Sequence, residues 1–274
     1  MEPTLADLKA MAYSAGEILR AGFEHPDRGL KLKSEIDPVT ETDLKSEKYL
    51  LGEINTRFPG HHIVAEESGD NHADTSHSWY IDPVDGTSNF AHGLPIFCVS
   101  IGHAHNGVMT LGVVYNPISD EMFSAEKGKG AFLNDKPIHT AAQTELNRSM
   151  LVTGFPYDRF TSPINNLAFF NTFALKVRSI RRLGSAALDL CYIAAGRMNG
   201  YWEFKMQPWD MAAGGLIATE AGALVTKMDG DPQIIDPPFS LVAANPGLHA
   251  EMTKVIAEVI SRPENKAYRE YLAG

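Results

Sequence analysis

The Asn106-Gly107 dipeptide constrains the fold more than any other local feature, because it separates two apolar runs. Asn-Gly favours the left-handed backbone of a two-residue hairpin turn, so 96–104 and 108–116 are predicted to be antiparallel strands. A further strand is predicted at 121–126. Successive hairpins exclude a plain parallel βαβ arrangement for this part of the chain and indicate a largely antiparallel sheet.

Helices precede this predicted sheet. Apolar periodicity and turn residues indicate the following elements: helices at about 4–23 and 43–57, and strands at 62–65 and 79–82. Thr4 and Asp7 form a capping-box pattern at the start of the first helix. The polar stretch 31–42 contains Pro38 and is predicted to be a hairpin or a mobile loop.

The second half of the chain alternates strands with helices, which predicts a second layered α/β unit. In chain order its predicted elements are strand 150–153, helix 163–174, strand 178–182, helix 184–196, strand 200–203, helix 210–221, strands 223–227 and 240–243, and helix 247–260. A boundary near 140, in the polar stretch 139–149, divides the chain into 1–140 and 141–274.

Size and charge exclude several classes of protein. The 274 residues are 44% hydrophobic, which is enough for a substantial core. There is no run of eighteen apolar residues, so no transmembrane helix is predicted. The acidic first residues do not resemble a signal peptide. The formal charge of −10 disfavours nucleic-acid binding, which requires a basic surface.

The two cysteines and ten histidines give no soft-metal signature. Cys98 and Cys191 lie in apolar runs without zinc or CxxC spacing, so two buried thiols in a reducing cytoplasm are favoured over a disulfide. His103 and His105 alternate on a strand, but there is no HxxxH spacing on a helix. The sequence therefore does not predict a histidine metal site. GKG at 128–130 lacks a P-loop pattern and indicates a turn.

The segment Trp79 to Phe90, WYIDPVDGTSNF, carries the strongest chemical signal. Pro83 has no amide proton, so the strand is predicted to end at Asp82 and to leave Asp82 and Asp85 near one point. Two carboxylates about 4 Å apart repel by roughly 4 kcal/mol at an effective dielectric constant of 20. A hard cation such as Mg²⁺, Mn²⁺ or Ca²⁺ removes that repulsion. The amides after Asp85 can hold an anion beside it.

Four other acidic positions each have an ordinary structural explanation as well as a functional one. Glu66 is either presented by the end of a strand or lies in a solvated turn. Asp43 is at a helix start, where its ordinary role is to cap the helix or to be stabilised by the helix dipole. Asp210 opens an apolar helix and is explained equally well as an N-cap. Glu203 ends a short apolar strand and can be a surface acid.

Together these elements resemble one family. AEES, IDPVDGTSNF and, about 120 residues later, PWDMAAG are similar to the motifs of the inositol monophosphatase family of metal-dependent phosphatases. VRSIRRLGSAALDLCYIAAGRMNGYWE resembles its bacterial branch, and the similarity runs from PVTETD to EAGA. The resemblance implies a layered α/β/α/β/α sandwich, a homodimer, inhibition by Li⁺, and Mg²⁺-dependent hydrolysis of a small phosphate monoester.

The resemblance also implies a ligand set. Two to three Mg²⁺ ions, for which Mn²⁺ is a substitute, are expected at one site. Glu66, Asp82 and the backbone carbonyl of Val84 are expected to hold the first ion. Asp82, Asp85 and Asp210 are expected to hold the second, so that Asp82 bridges the two. Glu66 also serves a third, weaker position.

The remaining roles concern water and substrate. Asp43 and Thr87, with Glu66, form the implied catalytic group and orient the attacking water. The implied substrate-binding residues are Asp85, Gly86, Thr87, Ser88, Ala186 and Glu203; the amides of Gly86 and Thr87 receive the phosphate. Lys33 lies near a lysine of the family's mobile loop, although its spacing to Asp43 is one residue shorter than in the family.

The expected substrate is myo-inositol monophosphate. The alternatives within the enzyme class are histidinol phosphate, fructose bisphosphate and a 3′-phosphoadenosine nucleotide. Asn89 argues against the last, because its phosphatases usually carry Glu at that position, and Glu203 favours a polyol over histidinol phosphate. An alternative of another class is a non-enzymatic protein that binds the transcription machinery.

Overall fold

The computed structural model describes residues 2–25, 31–32 and 38–274. Its helices are α1 (Leu5–Glu24), α2 (Glu41–Arg57), α3 (Thr87–Ala91), α4 (Leu167–Ala174), α5 (Ala186–Ala194), α6 (Pro208–Glu220), α7 (Pro246–Ser261) and α8 (Lys266–Leu272). The strands of the first half are β1 (Lys31–Leu32), β2 (Pro38–Val39), β3 (His61–Ala65), β4 (Gly69–Asp70), β5 (Asp74–Asp85), β6 (Cys98–His105), β7 (Val108–Asn116), β8 (Glu121–Glu126), β9 (Ala131–Leu133) and β10 (Lys136–Ile138). Those of the second half are β11 (Met150–Thr153), β12 (Ser179–Arg181), β13 (Gly200–Phe204), β14 (Leu224–Thr226) and β15 (Ser240–Ala244).

Every predicted helix and strand is present, including the Thr4–Asp7 capping box at the start of α1. Short elements such as α3, α8, β4, β9 and β10 were not predicted, because too few residues carry their periodicity. β1 and β2 pair antiparallel, which confirms a hairpin in the 31–42 stretch. The Asn106-Gly107 turn joins β6 to β7 with φ values of 52° and 74°. Both residues therefore have the left-handed backbone that the dipeptide favours.

The first sheet has eight strands in the order β10-β9-β8-β7-β6-β5-β3-β4. All neighbours are antiparallel except β3 and β5. The second sheet has five strands in the order β12-β11-β13-β15-β14. There β11 runs parallel to β12 and β13, while β15 runs antiparallel to its neighbours. The predicted largely antiparallel sheet and second α/β unit are thus confirmed.

The helices complete a five-layer α/β/α/β/α sandwich. α1 and α2 cover one face of the first sheet. α5 and α6 lie between the two sheets and share a core with each, and α4, α7 and α8 cover the far face of the second sheet. At Gly112 an added Cβ would lie 2.8 Å from the carbonyl oxygen of Ala213, so glycine lets β7 approach α6 closely.

Residues 139–149 connect the last strand of the first sheet to the first strand of the second. Because α5 and α6 belong to the second half and pack on both sheets, the halves share an interior. The division into 1–140 and 141–274 stays a prediction. Cys98 and Cys191 are buried and unbonded, as predicted. Within the described ranges, no helix is both long and apolar enough to cross a membrane.

One prediction about the central motif is wrong. β5 does not end at Asp82 but continues past Pro83 to Asp85. Its pairing with β6 becomes irregular there, since Asp82 pairs with Ser100 and Asp85 pairs with Cys98. The extra residue on β5 forms a bulge, and a bulge tolerates proline because its amide is not needed for the ladder.

Candidate active site

One pocket of about 360 Å³ gathers the acidic residues that the sequence singled out, except Asp43. From the first half it is lined by Glu66, Asp82, Val84, Asp85, Gly86 and Thr87. From the second half it is lined by Glu203 and Asp210, together with Phe155, Tyr157 and Lys205. The pocket therefore lies where the two halves meet, and neither half supplies it alone.

The bulge in β5 shapes the floor of this pocket. Asp82 and Asp85 are only 2% and 7% exposed. The amide of Val84 donates to Oδ1 of Asp82 at 3.0 Å, which fixes that carboxylate against its own turn. Gly86 has a φ of 103°, and a Cβ there would lie 2.8 Å from the carbonyl oxygen of Ile96. Only glycine fits that position without a shift of the backbone.

The start of α5 holds Asp85. Ser185 donates its hydroxyl to Oδ2 at 2.6 Å, and the amides of Ala187 and Ala186 donate to Oδ2 and Oδ1 at 2.7 and 3.2 Å. The structure thus gives Ala186 a backbone contact with Asp85. Ser185 was not predicted from the sequence. It is also the N-cap of α5, where its side chain accepts from the Leu188 amide, and a serine before an apolar helical run is the sequence pattern of such a cap.

The start of α6 positions Asp210. The N-cap of α6 is Gln207, and Asp210 is the third helical residue, so the expectation of an Asp210 N-cap is wrong. Its Oδ2 accepts the Gln207 amide at 2.8 Å in a capping box. Pro208 occupies the first helical position because it lacks the amide that would be unpaired there. The half-buried Asp210 carboxylate completes the pocket from the second half.

The carboxylates of the pocket are crowded. Burial raises the pKa of Asp82 well above its usual value, and the nearby Glu66, Asp85 and Asp210 raise it further. Burial and then Asp85 do the same to the pKa of Asp210. A nearby cation would favour the ionised form of these carboxyl groups, which burial and mutual repulsion otherwise disfavour. Their oxygen atoms suit a hard divalent cation.

Asp43 and Thr87 form a buried pair behind this floor. The Thr87 hydroxyl lies 2.8 Å from Oδ1 of Asp43 and 3.0 Å from the carbonyl oxygen of Val84. Oδ2 of Asp43 accepts from the amide and hydroxyl of Thr40 in the capping box of α2. Asp43 is therefore the third helical residue in the capping box of α2, whose N-cap is Thr40, while its other oxygen reaches the pocket residue Thr87. Burial raises the pKa of Asp43 to about 6.

Glu203 faces the pocket from β13. The Tyr201 hydroxyl donates to its Oε2 at 2.5 Å, and burial raises the pKa of Glu203 to about 7. A Cβ at Gly154 would lie 2.2 Å from the Glu203 carboxylate, so glycine leaves room for that side chain. Asp189 is 1% exposed beneath it, and burial raises the pKa of Asp189 well above its usual value. Sequence patterns did not single out Tyr201, Gly154 or Asp189, whose positions depend on packing.

Three other predicted positions have different outcomes. Ser88 does not line the pocket in the part of the chain that the structure describes. Lys33 lies outside the described residues. Asn89 donates to the carbonyl oxygens of Ile96 and Leu183, both at 2.7 Å, and so ties α3 to the chain that precedes α5. Because the Asn89 side-chain amide is used in these structural contacts, the residue is a weaker argument against a 3′-phosphoadenosine nucleotide as substrate.

The comparisons with known proteins agree on one family. The model of the inositol monophosphatase family matches residues 1–262. An inositol-1-monophosphatase of Synechocystis is 44% identical over 222 residues, which are 81% of this chain and 77% of that protein. The solved structure of an inositol monophosphatase from Anabaena (Nostoc) has a TM-score of 0.84 and 40% identity, and the match covers 93% of this chain and 95% of that one.

Some relatives carry a different name. A putative Nus factor SuhB of Neisseria meningitidis serogroup B is 41% identical over 260 residues. The match covers 94% of this chain and 99% of that protein. The similar proteins therefore include both phosphatase names and a Nus-factor name.

Proposed function

The chain belongs to the inositol monophosphatase family, and on that premise we propose that it is a Mg²⁺-dependent phosphatase of small polyol monophosphates. Myo-inositol monophosphate is the proposed substrate. The observation that carries the proposal is the single pocket that brings Glu66, Asp82, Asp85 and Asp210 together from distant parts of the chain. Such a constellation of buried carboxylates is costly unless cations occupy it.

The residues that would hold Mg²⁺ are Glu66, Asp82 and the Val84 carbonyl for one ion, and Asp82, Asp85 and Asp210 for another. When bound, Mg²⁺ neutralises the phosphate and lowers the pKa of water, which is the chemistry that a phosphate monoester requires. Glu66 also serves the third, weaker position. Mn²⁺ is a proposed substitute, because it prefers similar oxygen ligands.

The protein's own groups orient the reactants. Thr87 lies between the pocket and Asp43, whose Oδ1 is 2.8 Å from the threonine hydroxyl. In its ionised form Asp43 accepts a hydrogen bond from the Thr87 hydroxyl. The threonine oxygen can then accept a hydrogen bond from an attacking water. The amides of Gly86 and Thr87 are proposed to bind the phosphate. This arrangement requires no covalent phospho-enzyme.

The substrate hydroxyls are assigned to Glu203 and Asp85. The Tyr201 hydroxyl donates to Glu203 and so fixes the position of its carboxylate. Two acceptors suit a polyol ring, whose hydroxyls are donors in several directions. Histidinol phosphate and fructose bisphosphate remain the competing substrates. Lys205, which also lines the pocket, is already paired with Asp158.

The test is phosphate release from four substrates: myo-inositol 1-phosphate, histidinol phosphate, fructose 1,6-bisphosphate and 3′-phosphoadenosine 5′-phosphate. We expect the highest kcat/KM on inositol phosphate with Mg²⁺, loss of activity with EDTA, and inhibition by millimolar Li⁺. Equal rates with Mg²⁺ and with EDTA would eliminate the metal-dependent mechanism. A higher kcat/KM on another ester would reassign the substrate.

A second candidate function follows from the Nus factor name of the Neisseria relative, which matches 94% of this chain. In that function the protein binds the transcription machinery through its surface. Capture of RNA polymerase by both the wild type and Asp82→Asn would support a binding role separate from catalysis. No capture by either would remove this candidate. The homodimer that the family implies is a proposal that sedimentation analysis tests.

A further inference from the structure

A second cluster of potential metal ligands lies at the other end of β5. His61, His77 and His103 come from the neighbouring strands β3, β5 and β6. Each offers one ring nitrogen, and these nitrogens all lie within 4.8 Å of one another. Along β5, His77 and Asp82 are separated by roughly 17 Å at about 3.3 Å per residue. The histidines therefore belong to a different site from the carboxylate pocket.

Irregular strand pairing gathers these side chains. Between β3 and β5 the register shifts after His61, which pairs with Asp74 while His62 pairs with Ser78. Between β6 and β7 it shifts after His103, so that Thr110 has no partner in the ladder. Bulges redirect side chains and often lie beside functional sites.

Hydrogen bonds fix the proton on the His103 ring. Thr110 donates its hydroxyl to the His103 carbonyl oxygen at 3.1 Å, so its oxygen accepts from Nδ1 of His103 at 2.8 Å. With the proton on Nδ1, Nε2 of His103 carries the lone pair. That nitrogen lies 3.2 Å from Nδ1 of His77. Two nitrogens bound to one ion at about 2.1 Å lie roughly 3.0–3.4 Å apart, so this separation suits a shared metal.

The surroundings favour the neutral form of His61 and His103, which is the form that binds metals. His103 is 3% exposed, and burial followed by the neighbouring histidines lowers its pKa to about 3. Burial and then His77 lower the pKa of His61. A pocket of about 370 Å³ gives access to His77 and His103, and Glu2 and Glu126 line it together with Lys127. The carboxylates add negative charge near a cation, although Glu126 is also paired with Lys129 at 2.7 Å.

We propose that His61, His77 and His103 form a binding site for a late first-row transition-metal ion such as Ni²⁺ or Zn²⁺. His77 and His103 are the primary pair, and the His77 proton moves from Nδ1 to Nε2 on binding, so that no net proton is released. His61 is the third ligand, and its ring must rotate before it can bind the ion. Its ring is stacked on that of His77 at 4.5 Å and 10°, and its Nδ1 accepts from the indole of Trp79 at 3.1 Å.

The test measures Ni²⁺ stoichiometry by calorimetry and equilibrium dialysis on untagged protein in excess Mg²⁺, which competes for the carboxylate pocket. We expect the wild type to bind one Ni²⁺ more than His77→Gln and His103→Gln. His61→Gln should keep that ion with at least about tenfold weaker affinity, because it loses only the rearranging ligand. His139→Gln, at an exposed position, is the matched control and should bind as the wild type does.

His103 is buried, so a His103→Gln variant that fails to fold would not test the site. His77 is only half-buried, and His77→Gln is therefore the second variant. Trp79 provides an independent readout, since its ring lies 5.1 Å from that of His103. Paramagnetic Ni²⁺ should quench its fluorescence in the wild type, and the quenching should be lost in a folded His77→Gln variant. Equal Ni²⁺ uptake and equal quenching in wild type and His77→Gln would overturn the proposal.

Discussion

The two ends of β5 differ in chemistry although they belong to one strand of one sheet. At its carboxyl end lie Asp82 and Asp85, and near its amino end lies His77. Both ends have irregular pairing with a neighbouring strand. The carboxylate end offers hard oxygen donors, whereas the imidazole end offers nitrogen donors, and the two prefer different cations.

The cost of charge also differs between the ends. At the carboxylate end, burial and like charge raise the pKa of Asp82, so the negative form is the costly one. At the imidazole end, burial and neighbouring imidazoles lower the pKa of His103, so the positive form is the costly one. Without a cation the first end resists ionisation, while His103 at the second end is already neutral at pH 7. The same crowding therefore suits the first end to the proposed hard cation and the second end to the proposed softer one.

The largest expected effect is at the carboxylate end. Asp82→Asn removes the proposed bridging ligand and should lower kcat by at least about a hundredfold, corresponding to roughly 2.7 kcal/mol of transition-state stabilisation. Steady-state phosphate release measures it. Asp229→Asn, at an exposed position, is the control and should match the wild type. Near-normal turnover in folded Asp82→Asn would refute the bridging role and remove the main functional difference between the two ends.

A smaller effect separates substrate recognition from metal binding within the same end. Glu203→Gln keeps the size of the side chain but loses a charged acceptor, a contact worth about 1.5 kcal/mol or more. We expect kcat/KM on inositol phosphate to fall about tenfold, while p-nitrophenyl phosphate, which has no polyol hydroxyls, changes by less than about twofold. The exposed Glu264→Gln is the control. Equal losses on both substrates would place Glu203 with the metal ligands instead.

The smallest effect is on stability, and it tests the charge difference directly. Because the pKa values of Asp82, Asp85 and Asp210 are raised, the folded chain binds their protons more tightly than the unfolded chain does. As pH rises above about 4, the unfolded chain loses these protons first, so the metal-free protein loses stability. Mg²⁺ offsets this loss by pairing with the ionised carboxylates.

The increase in Tm on adding Mg²⁺ should therefore be larger at about pH 8 than at about pH 5.5. Each kcal/mol corresponds to roughly 2–4 °C for a chain of this size. Differential scanning calorimetry with NaCl of equal ionic strength as control measures it. An increase that is the same at both pH values, or larger at the lower one, would contradict the assignment of raised pKa values to this end.

Local sequence predicted most of the fold because its signals are local. The Asn106-Gly107 turn and the Thr4–Asp7 capping box need only neighbouring residues, and both are present. The motif around Asp82 likewise indicated a turn with glycine, and Gly86 has the left-handed backbone that it requires. The error at Pro83 came from applying the proline rule without the partner strand, because a bulge makes the missing amide of Pro83 harmless.

Local sequence patterns could not predict contacts between residues that are far apart in the chain. Ser185 donates to Asp85 from the start of a helix that follows by 100 residues, and Gly154 leaves room for the Glu203 carboxylate from a segment about 50 residues away. The histidine cluster was missed for the same reason, since its members lie on three strands and no short spacing relates them. Such groups become neighbours only when the sheets are assembled.

The amino-acid sequence by itself determined which donors this protein carries and the local turns that present them, because residue type and backbone preference act over a few positions. The tertiary structure alone decided that carboxylates from both halves share one pocket and that imidazoles meet at the opposite end of β5. The physical reason is that strand register and layer packing set distances between residues far apart in the chain, and charge repulsion or metal affinity depends on those distances.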